Sequence, residues 1–322
     1  MSRAAGLLLG YLADQALGDP RRFHPVAGFG RVAGALERGL YADSRLRGTA
    51  YTLVLVGGAT TAGVLLEVAS RKRPFVHTAA TAAVTWAVLG GRSLDREAAA
   101  VEALLVTDLV AARQRLTHLV GRDTRSLSES EVARAVVESL AENSSDAVVA
   151  PLVLGAVAGM PALLGHRAAN TLDAMVGHRS RRHAQFGWAS ARLDDVLNVP
   201  GSRLTAVLTV LLGPGRRAAW TAWRRDARRH PSPNAGPVEA AFAGALGVRL
   251  GGRNLYGPPE EQQVEHRAVL GDGRPVRPGD IARARSLARG VDTTALAVSV
   301  GATGVSALLR ARRPRRLRRQ GR

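Results

Sequence analysis

Residues 51–69, YTLVLVGGATTAGVLLEVA, constrain this chain more than any other segment. Their length is close to the roughly 20 apolar residues a helix needs to cross a bilayer. The basic turn RKR at 71–73 follows. Residues 75–91, FVHTAATAAVTWAVLGG, then return as the second arm of an expected transmembrane hairpin. Four further apolar segments lie at 4–17, 147–165, 202–213 and 295–309. No small-x-small cleavage site follows the first, so it reads as a retained membrane helix carrying Asp14. Residues 147–165 are interrupted by Pro151 and Pro161, a break that survives in a bilayer only where protein or a wet cavity covers the freed backbone groups. Residues 202–213 are too short to span alone. The expected fold is all-α: a polytopic integral membrane helical bundle, one domain over residues 1–309, with polar, loop-rich segments gathered on the cytoplasmic side. Residues 214–294 read as the largest of these loop-rich segments.

The mean hydropathy of −0.02 conceals this blockiness. Aromatic residues are 4% of the chain, so its core is built from Ala, Val, Leu and Gly. The net charge is +19, and Lys72 is the sole lysine, so the excess is arginine. Nucleic acid, an anionic membrane surface and phosphorylated substrates are the partners such charge suits. No helix-turn-helix, zinc-finger or RNP-type pattern supports nucleic acid, and none is expected as a partner. The tail RARRPRRLRRQGR, 310–322, directly follows an apolar segment, as a cytoplasmic membrane flank does, and is expected to be disordered. The absence of cysteine excludes disulfides, thiolate metal sites and a cysteine nucleophile.

Residues 92–146 have soluble character. SESEVARAVVESLAENSSD opens with Ser128 and Glu131, a capping box. Val132, Val136 and Leu140 form one apolar stripe. Glu138 and Glu142 stand at i,i+4 on another face, close enough to act on one ligand.

Five polar clusters carry the chemistry: Asp14 with GDPRRFHP (18–25), GRDT (121–124), ENSSD (142–146), NTLDAMVGHR (170–179) and FGWASARLDDVLNVPGSRLTA (186–206). A helix over 188–198 puts Ser190, Asp194 and Asn198 on one stripe and sends Leu193, Val196 and Leu197 into packing. Asn170 and Asp173 share a face in the same way. Taken singly, an Asp–Arg pair at helical spacing is usually structural. Carboxylates and asparagines repeatedly placed near arginines suit Mg²⁺ bridging phosphates, with forked guanidinium donors for the remaining charge. His24, His178, His183 and His230 lack metal-ligand spacing. There is no Walker A sequence, no G-x-G-x-x-G fingerprint in GALGVRLGG and no G-x-S-x-G elbow.

GDPRRFHPV, GRDT followed by EVARAVVESLAEN, ANTLDAMVGHR, FGWASARLDDVLN, and HPSPNAG followed by AGALGVRLGG stand in one order along the chain. Together they resemble the adenosylcobinamide-phosphate synthase family, the CobD/CbiB proteins of cobalamin biosynthesis. One departure is the Ser144–Ser145 pair after AEN, where more varied Thr, Leu or Val is expected. The resemblance implies a multi-pass protein of the cell (cytoplasmic) membrane, with its active site facing the cytoplasm. It implies an ATP-dependent amide ligase joining adenosylcobyric acid to (R)-1-aminopropan-2-ol phosphate. The corrinoid, the amine, ATP and the lipid bilayer are then the partners, with other enzymes of the pathway as further ones. Whether the donor is aminopropanol or its phosphate stays open. Mg²⁺ and ATP as co-substrate are expected, and no bound organic cofactor. On this reading Asp194 and Asp195 hold the metal, with Asp173 and Asn170 as second candidates. Arg192 and Arg122 hold phosphate oxygens. Glu142 or Asp146 takes the amine proton or joins the metal shell. His230, Asn234 and Arg249 line the corrin or aminopropanol-phosphate site. Asp14, Asp19, His24, Asp123, Asn143 and Arg179 complete the expected substrate- and phosphate-binding set. A corrinoid transporter and a membrane scaffold are the alternatives; a transporter predicts inverted repeats, which the sequence does not display.

Overall fold

The computed structural model describes residues 2–20, 24–178, 180, 182–256 and 263–312, without the side chains of Gln263 and 305–312. The described part is mostly helical, and two helices are long and apolar enough to cross a membrane: α3 (Arg45–Ser70) and α10 (Trp188–Leu212). In α3 only 17% of the apolar window is buried. Leu53, Val54, Leu65 and Val68 face outward, as a lipid-facing surface requires.

Small residues let the outer helices meet closely. In α1 (Ser2–Leu17), Gly6 and Gly10 lie against Thr81 and Thr85 of α4 (Pro74–Val88), and a Cβ at either glycine would overlap a threonine. Gly63 of α3 meets the backbone of Met160 and Pro161 at the start of α9 (Met160–Leu172). The expected hairpin of 51–69 and 75–91 is therefore two helices joined by a tight turn, each with its principal partner elsewhere: α4 on α1, and α3 on α9. Between them α2 (Pro25–Leu40) packs on α3 and α9.

The 147–165 segment breaks at Gly159, whose φ of +74° suits glycine, dividing α8 (Ala150–Ala158) from α9. Pro161 sits in the first turn of α9, where a missing N–H costs nothing. Pro151 follows directly on a π-helical turn, Ser145–Val149, where the helix that arrives from Glu129–Ser144 is already widened. The freed N–H of Met160 donates to Glu67 Oε2 at 3.1 Å.

Four sequence expectations need correction. Residues 202–213 are not a separate short segment, since α10 runs unbroken from Trp188 through Pro200 to Leu212. Val196 does not point into packing: it is 66% exposed on the outer face of α10. Residues 214–294 are not loop-rich. They form α11 (Arg216–Asp226), α12 (Ala235–Leu246), a hairpin of β1 (Leu250–Tyr256) and β2 (Gln263–Leu270), and the first turns of α13 (Asp280–Arg312). The antiparallel hairpin also makes the fold other than purely α.

These elements enclose the largest core with α5 (Gly91–Thr107), α6 (Leu109–Leu116) and α7 (Glu129–Ser144). Val132, Val136 and Leu140 are buried in it, and both halves of the Ser128–Glu131 capping box form. Every residue of α12 is buried, as a helix apolar on every face but for Glu239 must be. It ends on Gly247 at φ +68°, the left-handed stop that glycine supplies. The expected basic tail lies, from residue 313 on, outside the described residues.

Candidate functional site

Along α7, Glu138 and Glu142 follow one turn apart, and Asp146 comes one turn later. Asp146 belongs to a π-helical turn, Ser145–Val149. A second π turn, Asp173–Gly177, begins with Asp173 at the end of α9. Such turns insert a residue into the α ladder and recur at functional sites. Both carboxylates thus stand where the helix is locally widened.

Helix α10 supplies the facing wall. Ser190, Asp194 and Asn198 are all buried, as their spacing predicts. Asn198 Oδ1 lies 2.7 Å from His166 Nε2, and Asn170 Nδ2 donates to Asp194 Oδ1 at 3.4 Å. The reversed order of these pairs makes α9 and α10 antiparallel. Ser190 Oγ lies 2.8 Å from Thr52 Oγ1 of α3. Asn234, just before α12, accepts from Ser202 Oγ at 2.9 Å and donates to the Asp195 carbonyl at 2.7 Å.

Glu142, Asp146, Asp173 and Asp194 are close enough to repel one another. Burial pushes the Glu142 carboxyl above its usual range; Arg267 opposes this, while Glu138 and Asp173 add to it. Burial drives Asp146 well up, helped by Asp194, Glu142 and Asp173. Asp173 is raised by burial against the pull of His178, with Asp195 adding repulsion. Glu142, Asp146 and Asp173 are only half-buried, so the group opens to the surface. Hard oxygen donors that repel one another suit a divalent cation. No three Asp, Glu or His side chains among the described residues already form a metal cage. Mg²⁺ asks for less: one or two carboxylates, with water and phosphate oxygens completing its shell.

One turn back the electrostatics reverse. Burial would raise Glu138, but Arg122, Arg134 and the Gly251 N–H together hold it below the usual range. Arg122 Nη2 lies 2.5 Å from Glu138 Oε2, and the same guanidinium meets Asn254. The Gly251 N–H donates to Glu138 Oε1 at 2.8 Å, presented by a bulge in β1 where Gly251 adopts φ +82°. Arg122, expected to hold phosphate, is thus engaged by Glu138 and Asn254.

The other expected residues divide. Asp195 pairs with Arg192 at 3.2 Å on the outer edge, about a quarter-turn from Asp194. His230 Nε2 faces buried Glu239 Oε1 at 3.7 Å. Asp19 and His24 stand 3.7 Å apart, and Arg167 lies within electrostatic reach of both Asp19 and Asp146. Asn143 donates back to the Ser139 carbonyl at 2.9 Å. Three residues have other surroundings. Asp14 is buried beside α5, where it accepts from the Arg92 N–H at 3.2 Å. Asp123 pairs with Arg125 at 2.7 Å. Arg249 edges a hollow of about 190 Å³ at the start of α7. Arg179 lies outside the described residues.

Sequence reasoning missed Arg267, Arg167, His166 and Glu239. Glu239 carried a signal, a lone charge in the apolar run GPVEAAFAGAL. Arg267 carried none, because only the hairpin brings it to Glu142.

A mostly helical chain with two candidate membrane helices and a half-open, arginine-edged carboxylate group is the class these observations define. The family described as CobD/Cbib protein matches residues 7–288, and the chain belongs to that family. It is 49% identical over 305 residues to the cobalamin biosynthesis protein CobD of Mycobacterium tuberculosis, covering 93% of this chain and 95% of the relative. Proteins of the same name from Chromobacterium violaceum and Geobacter metallireducens are 43% and 42% identical, each covering 88% of this chain and 91% of the relative. No solved structure matches.

Proposed function

We propose that this protein acts in cobalamin biosynthesis as an ATP-dependent amide ligase, joining adenosylcobyric acid to (R)-1-aminopropan-2-ol phosphate. Family membership supports the pathway. The observation that carries the chemistry is the group formed by Glu142, Asp146, Asp173 and Asp194, a turn away from the arginine-bound Glu138.

A carboxylate is a poor acyl donor. Transfer of the ATP γ-phosphoryl to it would give an acyl phosphate and ADP. The amine nitrogen then attacks the acyl carbon, loses a proton, and phosphate leaves with the broken C–O bond. Bound Mg²⁺ would neutralise the transferring phosphoryl oxygens. Asp194, with Asp146 or Asp173, would hold it, and Asp195 would join from the rim. Glu142, held above the usual carboxylate range, would accept the amine proton. Arg267 and Arg167 face the same group and would orient anionic substrates. A multi-pass bilayer setting, with α3 and α10 spanning, belongs to this reading.

The test is turnover by purified protein in detergent. Adenosylcobyric acid, ATP and Mg²⁺ are supplied with aminopropanol or its O-phosphate, and corrinoid product and ADP are followed together. Product heavier by the phosphorylated amine, with matching ADP, is expected. Folded protein that binds corrinoid yet makes no product would overturn the ligase.

A further inference from the structure

Helix α7 ends at Ser144, directly before the π turn that carries Asp146. A second group of oxygens meets there, and the ligase chemistry makes no use of it. Asp14 of α1 is 0% exposed and Asp292 of α13 is 6% exposed. The Tyr11 hydroxyl of α1 lies 3.2 Å from Thr293 Oγ1 of α13 and ties the two helices together. Asp14 Oδ2 is well supplied, accepting from Gln15 Nε2 at 2.9 Å and from the Arg92 N–H at 3.2 Å. Asp14 Oδ1, Asp292 Oδ1 and the fully buried Ser144 Oγ have no hydrogen-bond partner among the described residues. Asp292, Ser144, Tyr11 and Gln15 line a hollow of about 10 Å³, room for about one occupant the size of a water molecule. Asp14 lies within electrostatic reach of Asp292.

The arginines of this junction are committed elsewhere. Arg285 holds Asp95 at 2.9 Å and Glu102 at 3.2 Å, and Arg289 reaches Asp95 at 3.6 Å. Arg92 acts on Asp14 from beyond ion-pair distance, and neither Asp14 nor Asp292 has an ion-pair partner among the described residues. Two buried carboxylates left without a cation repel each other, and an unpaired buried oxygen is costly. Carboxylate and hydroxyl oxygens are hard donors that suit a hard cation. Size decides which one. Mg²⁺ keeps several of its waters and Ca²⁺ takes roughly six to eight oxygens, so neither suits a hollow for one small occupant. A bare Na⁺ does, and it gains more than the larger K⁺ from two charged ligands because it approaches them more closely. We propose that Asp14, Asp292 and Ser144 form a sodium site that clasps α1 and α13 to the end of α7. The site does not depend on the ligase reaction.

Purified protein in detergent, freed of divalent cations with EDTA, is unfolded by heat in sodium, potassium or choline chloride at one ionic strength. Sodium at about tenfold over its dissociation constant is expected to raise the unfolding midpoint saturably, by about 2 °C or more over choline, with potassium giving clearly less. Asp292→Asn and Ser144→Ala are expected to lose this response. Asp292→Asn keeps the shape of the side chain and removes the repulsion, so its midpoint in choline should be no lower than that of the parent protein. The sodium NMR line reads the ion without unfolding: the parent protein is expected to broaden it, and Asp292→Asn to broaden it less. Equal midpoints in sodium and choline, or a line that the parent protein leaves sharp, overturn the site in favour of a protonated acid and a water molecule. A sodium response that survives in both variants puts the ion elsewhere and overturns it too. Equal rises in sodium and potassium overturn the choice of sodium, and with it the proposal.

Discussion

Glu138 and Glu142 sit one turn apart on the same helix and meet opposite surroundings. Glu138 is enclosed by Arg122, Arg134, Asn254 and the Gly251 N–H, and stays ionised at the usual pH. Glu142 faces Asp173 and its neighbour Asp146, and burial favours its protonated form. The first arrangement is complete in itself and ties α7 to the hairpin. The second is short of positive charge and half-open, which is where a cation and a substrate add most. Carboxylates that are neutralised and carboxylates that are not are thus told apart by their partners, since their spacing on the helix is the same.

The strongest way to break that contrast is Arg122→Ala. Removing one member of a buried pair leaves Glu138 uncompensated and should cost about 3–5 kcal/mol, read by chemical denaturation in detergent. A loss no larger than for a surface arginine would show that Glu138 finds its charge balance elsewhere. Asp194→Asn on the other side should leave the fold intact and lower turnover on the order of 100-fold, with a raised Mg²⁺ requirement. Turnover close to wild type would remove Asp194 from the metal.

The two groups should also respond to pH with opposite sign. Glu138 has a lowered folded pKa, so its contribution is present above the ordinary glutamate range and is lost as pH falls through the lowered value. Glu142 and Asp146 have raised folded pKa values. Their contribution is present below the ordinary range and is lost as pH rises through the raised ones. Without divalent cation the unfolding midpoint should therefore fall as pH rises above the ordinary carboxylate range, and Mg²⁺ or Glu142→Gln should flatten that fall. A midpoint rising over the same interval in EDTA contradicts the assignment. The smallest expected effect is Gly251→Ala. At φ +82° a side chain is strained and its Cβ would overlap the Ala268 carbonyl, so about 1–2 kcal/mol should be lost as the Glu138 anchor shifts. An unchanged midpoint would mean that the bulge relaxes freely.

Much of this was legible in the sequence because it is local. The capping box at Ser128 and Glu131, the apolar stripe of α7, the membrane-length run at 51–69 and the inward stripe of Ser190, Asp194 and Asn198 all follow from helical period. The motif order identified the family. The stretch 214–294 misled because its Gly and Pro residues punctuate like loops. Gly247 is in fact the stop of a fully buried helix, and Gly251 opens a bulge in a strand.

By itself the sequence determined the family, the helical period of α7 and of the inward stripe of α10, and the membrane-length run at 51–69. Only the tertiary structure decided which carboxylates are neutralised and which are left in want of charge. Period fixes the face on which a side chain lies, over a few residues. Whether Glu138 meets Arg122 and Asn254, or Glu142 meets Asp173 and Arg267, depends on helices and a hairpin far apart in the chain closing around one core. Charge acts through space, so that part of the site exists only once the chain has folded.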